Sequence, residues 1–436
     1  MNMLSTYGQN QRKNSYKYVI RMCALFSLLI LVRSITNMGF YAFAGISLLV
    51  FLASSSAHCV TFLLFLMPFA TILKLSYNGM SIFTILFFFT IVKMLIEYRR
   101  IDARLVAILL IFFAYSVFFS GIDKLTTIIT MITGVLMLYY IRNNKADVVM
   151  VIVAYSVGIC LSSILALNKD MLPIISKFVR NSMMKLGDDQ YSIRFSGLYG
   201  NPNYYTMDVI IALSAIVALL QYKKGATKLL YICFFALSIF GLMSVSKSFL
   251  ISWIALILIW SLSSLRQGVG KFFGVLCILG IGAALIYYFA YDSIEAFLSR
   301  LEEDSSGSID TITSGRYGIW TTYVKTIFSD YNILFFGNGL NTIITSLRKG
   351  THNTYLEALF TLGILGLSIF LTALTISIGK VKIKGIVWVP VLVLMIRMFA
   401  IGIFTHDNLW FYLSIPLILA YDYQSVLTQR KATFRN

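Results

Sequence analysis

Runs of roughly 20 apolar residues recur from one end of this chain to the other, the length a helix needs to cross a bilayer's hydrocarbon core. Stretches such as LVAILLIFFAYSVFF and VVMVIVAYSVGICLSSILAL carry no charge. In lipid the backbone polar groups must bond within the segment, so such runs fold as helices. Of the 436 residues, 58% are hydrophobic and only 12% charged. A soluble domain carries about twice that charge. The chain therefore reads as a single all-α, polytopic membrane domain spanning residues 1–436.

About 14 transmembrane helices (12–14, because the first three are separated by short turns) are expected. They fall near 17–35, 38–56, 58–75, 78–97, 103–120, 123–141, 147–167, 204–222, 226–244, 247–265, 271–290, 353–378, 384–403 and 408–424. No A-x-A cleavage site follows the first run, which reads as a retained anchor.

Basic residues set the orientation. With the N-terminus in the cytoplasm, the inner segments hold Arg12, Lys13 and Lys17; Arg99, Arg100 and Arg104; Arg142 and Lys145; Lys223, Lys224 and Lys228; Arg266 and Lys271; Lys380, Lys382 and Lys384; and Arg430, Lys431 and Arg435. That is more than half of the 36 basic residues, while outer turns such as TNMG and SGID hold almost none. This positive-inside pattern puts both termini in the cytoplasm. It also accounts for most of the +18 net charge, so no nucleic-acid partner is implied.

Two longer segments, about 168–203 and 293–352, fall on the outer side as the larger loops, each expected to carry an amphipathic helix. In DMLPIISKFVRNSMMKL, Met171, Ile174, Ile175 and Phe178 follow helical spacing, with Lys177 and Arg180 elsewhere on the wheel. This predicts a helix lying on the membrane surface. The second loop opens with EEDSSGS and continues as a helix from about Ser314 to Phe328, with Ser314 as N-cap, before the turn GNG.

The five cysteines lie in or beside apolar spans, and the three histidines are scattered. Neither pattern suggests a disulfide or metal site. No Walker loop, G-x-S-x-G elbow or dinucleotide fingerprint is present, so no cofactor is expected. His58 falls on the inner side and reads as structural; His406 reads as a turn. Asp208 and Arg397 are ionisable groups within spans, which default to functional hypotheses. They read as a buried pair or as acceptor contacts.

Cations on the outer face stand out because positive-inside bias should deplete them there. They are Lys74, Arg194, Lys247, Arg316, Arg348 and Lys349, with His352 beside the last two. Each alone could be a snorkelling side chain. Together they suggest an anionic ligand at headgroup level, with Arg316 near a helix N-terminus suited to phosphate.

Four stretches in order, RFSGLYGNPN, SVSKS, SGRYGIW and THNTYLEALFTLGILGL, resemble the motifs of the O-antigen polymerase and O-antigen ligase superfamily across about residues 190 to 370. Lys247 departs from the arginine more usual there, and a lysine cannot form a bidentate fork. The resemblance implies an all-helical enzyme of the bacterial inner membrane, metal-independent and inverting. Its polymerase form joins undecaprenyl-pyrophosphate-linked oligosaccharide repeat units at the outer face into O-antigen or capsule. Catalytic roles would fall to His352, Arg316 and Arg194. Substrate contacts would fall to Lys247, Lys74, Asn203, Asn353, Tyr355 and Arg348. Donor and acceptor would be lipid-linked glycans in the bilayer, with a chain-length regulator and a flippase open as partners. Two other readings stay open: a ligase that transfers finished glycan to a lipid A core or cell-wall acceptor, and a flippase for lipid-linked oligosaccharide.

Overall fold

The computed structural model describes the chain except for Met1, 77–78, 144–145, 180–181, 187–189, 223–226, several positions between 278 and 294, 296–312, 314, 345–348, 380, 382 and 434–436. The described residues form a bundle of apolar helices. They are α1 (Asn2–Ile35), α2 (Met38–Ala53), α3 (Ser56–Leu66), α4 (Ile82–Tyr98), α5 (Ala103–Ser120), α6 (Leu125–Ile141), α7 (Val148–Leu167), the short α8 (Pro173–Phe178), α9 (Pro202–Tyr222), α10 (Thr227–Leu242) and α11 (Lys247–Leu265). Beyond residue 312 come α12 (Arg316–Ser329), α13 (Tyr331–Phe336), α14 (Thr354–Ile378), α15 (Trp388–Met398) and α16 (Asn408–Thr433). Among the described residues, 7 helices are long and apolar enough to cross a membrane, and shorter apolar helices such as Met38–Ala53 and Ser56–Phe69 lie between them. The protein is a polytopic helical membrane protein.

The helix ends follow local chemistry. Ser55, Ser81, Asp102, Asp147 and Asn353 each cap a helix by accepting a backbone N–H. The third expected span stops short: α3 ends at Leu66 and tightens into a 3-10 turn at Met67–Phe69, where Pro68 has no N–H to continue the ladder. The expected surface helix at 170–186 is also corrected. Only Pro173–Phe178 is helical, burying Ile174, Ile175 and Phe178. Ser182–Leu186 then pairs antiparallel with Gln190–Arg194 as a hairpin. The apolar spacing that suggested a helix is satisfied by one turn, because Val179 is already extended and the chain leaves the helix there. The second loop holds the expected amphipathic helix as α12. Its cap position is Gly315, in a left-handed conformation, and Ser314 lies outside the described residues. The run EEDSSGS and part of the span near 271–290 lie outside them too.

α9 is the central helix, packed against α7, α10, α11, α15 and α16 and buried along nearly its whole length. Side-chain bonds sort the loops into two ends. At one end Arg33 binds the carbonyls of Ile72 (3.0 Å) and Lys74 (2.5 Å), the Leu340 N–H binds Ser120 (3.0 Å), and Thr354 binds the Ile401 carbonyl (2.6 Å). At the other end Tyr98 binds the Asn143 carbonyl (3.2 Å) and Tyr222 binds Asp422 (3.1 Å). His58 belongs to this second end, between Ser15 (2.9 Å) and Ser55 (3.1 Å), a structural setting.

A kink in α14 holds α12 and α13 against the bundle. Gly363 is non-helical there, at φ 60°. A Cβ on it would lie 2.5 Å from the Gly337 nitrogen and 2.6 Å from the Phe335 carbonyl carbon. Tyr115 clamps the crossing by donating to the carbonyls of Phe336 (2.7 Å) and Leu362 (2.8 Å). Gly363→Ala therefore combines a backbone clash with an unfavourable φ. It should cost on the order of 1–3 kcal/mol, seen as a lower melting temperature of the purified protein in detergent. An unchanged melt would contradict the close crossing.

Candidate functional site

The stretch NPN starts α9. Asn201 accepts the Asn203 N–H (2.9 Å), Pro202 fills the first helical position, and the Asn203 side chain accepts from Ser246 (3.1 Å). Ser246 belongs to the turn joining α10 to α11. In that turn Val245 has φ 49°, rare for a β-branched residue. Arg194 braces it: its Nε and Nη2 donate to the carbonyls of Ser244 (3.1 Å) and Val245 (3.3 Å). The brace fixes the first residue of α11, the half-buried Lys247.

Arg397, at the end of α15, reaches into the same corner. Its Nη2 donates to the Asn203 carbonyl (3.0 Å) and Thr206 (2.8 Å), and its Nη1 to Ser248. Its buried Nε has no hydrogen-bond partner. A buried donor without a partner is uncommon and marks this corner as one under constraint. Arg397 and Asp208 are not the pair considered from sequence. Asp208 accepts instead from three tyrosines, Tyr155 (3.2 Å), Tyr412 (2.5 Å) and Tyr199.

Arg316 opens α12 close enough to repel both Arg397 and His352. The two chain segments are bolted together. Trp320 on α12 donates to the Thr351 carbonyl (3.0 Å), and Tyr323 donates to the carbonyls of Thr342 (2.8 Å) and Lys349 (3.0 Å). His352 itself has φ 48°, a left-handed conformation that costs a non-glycine residue energy and so marks a constrained position. Burial lowers its pKa first, and the Arg316 and Lys349 cations lower it further. Near neutral pH its imidazole is thus uncharged and able to accept a proton.

Other expected site residues take different places. The Asn353 side chain caps α14, accepting from Tyr355 N–H (3.0 Å) and Leu356 N–H (3.1 Å). Tyr355 donates to the Met395 carbonyl (2.9 Å) and packs on Phe399. Lys74 lines a separate cleft, described below, whose lining does not include Arg316, His352 or Lys247. Arg348 lies outside the described residues.

Several groups at this end were not singled out from sequence. Buried Glu357 accepts from the Phe404 N–H (3.3 Å) and Thr405 (3.2 Å), tying the start of α14 to the loop that carries His406. Tyr199 and Tyr412 hold Asp208. The available signal was Asp208 itself, an acid inside a span that needs donors from its neighbours. The described residues contain no group of three or more His, Cys, Asp and Glu side chains arranged to hold a metal. In comparisons with known proteins, no family model matches the chain and no curated protein matches it.

Arg397→Lys should disrupt this corner although the charge is kept. One ammonium cannot reach Ser248, Asn203 and Thr206 with a planar fork's geometry. A stability loss of roughly 1–3 kcal/mol is expected, measured by thermal melting in detergent. Wild-type stability in Arg397→Lys would mean that the fork geometry contributes little.

Proposed function

We propose that the protein is a membrane glycosyltransferase that polymerises undecaprenyl-pyrophosphate-linked oligosaccharide repeat units into a surface polysaccharide at the outer face of the bacterial inner membrane. The observation that carries this reading is that the Arg316 charge acts on both Arg397 and a lysine-flanked His352 at one end of an apolar bundle. A pyrophosphate leaving group gains negative charge as its glycosidic bond breaks, and fixed cations stabilise that charge most effectively in a site screened from water. The acceptor hydroxyl attacks the anomeric carbon, its proton passes to His352, and the lipid pyrophosphate departs with the bonding pair. The activated bond supplies the energy. Arg194, through its hold on the turn before Lys247, positions that lysine beside the same corner.

This reading includes fourteen crossings, with both termini in the cytoplasm and the motif-bearing loops outside. The distribution of basic residues supports it. A cysteine placed at Ser329 should react with an impermeant maleimide in intact spheroplasts, and one at Asn143 only after permeabilisation. The reverse pattern would invert the topology.

Loss of the gene should leave a single repeat unit capping its acceptor on a polysaccharide gel. Full-length polymer stranded on the carrier lipid would indicate a ligase instead. For the purified enzyme, Arg316→Lys should be nearly as damaging as Arg316→Ala, because the role needs a bidentate fork, while Lys247→Arg should be tolerated. Wild-type turnover by Arg316→Lys would remove the fork from the mechanism.

His352→Ala should slow single-turnover transfer by about 10²–10⁴-fold with donor binding largely kept. The imidazole works only when neutral. Transfer should therefore be constant at higher pH and decline as pH falls through the folded-state pKa, which lies below the ordinary value of about 6.5. A flat profile in that range, or full activity in the variant, would leave the base elsewhere.

A further inference from the structure

A second cleft opens at the same end of the bundle, between the loop after α3 and the starts of α4, α6, α9 and α16. Its volume of about 680 Å³ lies within the roughly 300–1,000 Å³ range of small-ligand sites. We infer that it is a saccharide subsite, holding part of an oligosaccharide by its hydroxyls.

The lining chemistry favours that ligand. Six threonines face the cleft: Thr71, Thr84, Thr126, Thr127, Thr130 and Thr405. Each hydroxyl can both donate and accept, as sugar hydroxyls do. Asn201 and Asn408 add amides with the same dual capacity. Tyr199 and Tyr204 supply aromatic surface for the apolar faces of a sugar ring. Their hydroxyls are tethered, Tyr199 to Asp208 and Tyr204 to the Gly402 carbonyl (2.8 Å), so the rings are held in place before any ligand arrives.

Charge argues against an anion. Lys74 and Asp407 both line the cleft, one charge of each sign, and Thr84 donates to Asp407 (2.7 Å). A phosphate entering here would meet the Asp407 carboxylate, whereas a neutral polyol would find hydrogen bonds to both groups. The contrast is with the neighbouring corner, where His352 feels two cations.

The cleft wall is rigid and well placed. Arg33 grips the backbone of Ile72 and Lys74, and its guanidinium lies over the rings of Phe40 (5.5 Å) and Phe178 (5.6 Å). His406, open to the cleft, packs tilted against Tyr204 with ring centroids 5.1 Å apart. Tyr204 directly follows Asn203, whose carbonyl binds Arg397. The two sites thus adjoin through one step of α9. A sugar held in the cleft has its neighbouring residue near the cationic corner, the arrangement that presents one hydroxyl for transfer. That placement rests on the transferase reading; the lining chemistry does not.

The probe is the oligosaccharide repeat unit freed of lipid and pyrophosphate by mild acid, titrated onto detergent-purified protein and followed by saturation-transfer difference NMR. Wild type should bind it. Thr126→Trp, which fills the cleft mouth, and Thr84→Val, which keeps shape but removes a hydroxyl, should each weaken binding by about tenfold or more. Thermal melts identify any variant that fails to fold, and the milder Thr84→Val then decides. Arg316→Ala should bind the free saccharide within about twofold of wild type while losing transfer. Equal binding by wild type and both cleft variants, no binding by wild type, or displacement of the saccharide by inorganic pyrophosphate would each overturn the inference. Full transfer by Arg316→Ala would overturn the transferase reading and leave the saccharide result standing.

Discussion

One buried guanidinium organises the end of the molecule where the proposed chemistry sits. Arg397 joins the start of α9, the start of α11 and the end of α15 by donating to Asn203, Thr206 and Ser248. A charge buried this deeply is costly unless its donors find acceptors, and here both terminal nitrogens do. Helix starts need N–H acceptors, yet each of these helices also offers a carbonyl or hydroxyl that an arginine can use. Most of the geometry of the cationic corner follows, because Asn203, Ser246 and the Arg194-braced turn share bonds with the same cluster.

The same few residues divide the end into two compartments of different chemistry. On one side Arg316 and Lys349 make a positive environment around the neutral His352. On the other, threonines and tyrosines surround one lysine and one aspartate. The boundary is the Asn203–Tyr204 step, backed by Asp208 and its three tyrosines. A transferase must hold a charged leaving group and a neutral, hydroxyl-rich acceptor side by side. In the transferase proposed above, the Asn203–Tyr204 step would lie between the leaving group and the acceptor's sugars.

Much of the helical framework was legible in the sequence. Long apolar runs leave helix as the one way to satisfy the backbone in lipid, and serine, aspartate or asparagine marks many of the starts. The misses are instructive. α3 ends early, tightening into the 3-10 turn that holds Pro68. The 170–186 segment has helical spacing for one turn only, and the rest pairs with Gln190–Arg194, a partner that a periodicity argument within one segment does not see. Among the residues expected at the site, Arg316 and Lys349 lie near enough for their charges to act on His352. Asn353 and Tyr355, within three residues of His352 in sequence, face a helix cap and Met395, because nearby residues at a helix start point in different directions.

The sequence by itself determined that this chain lives in a membrane, roughly where it crosses, and that cations gather in the segments proposed to face outward. These are properties of composition and local periodicity, and each is set within some twenty residues by the cost of unsatisfied backbone and exposed charge in lipid. Tertiary structure alone decided which of those charges meet. Arg397 and Asp208 were both visible as ions within spans, but whether they paired depended on helix rotation. Rotation turned Asp208 toward Tyr155 and Tyr412 and Arg397 toward Ser248. Lys74 and His406, more than three hundred residues apart in sequence, line one cleft because packing brings the loop after α3 against the loop before α16.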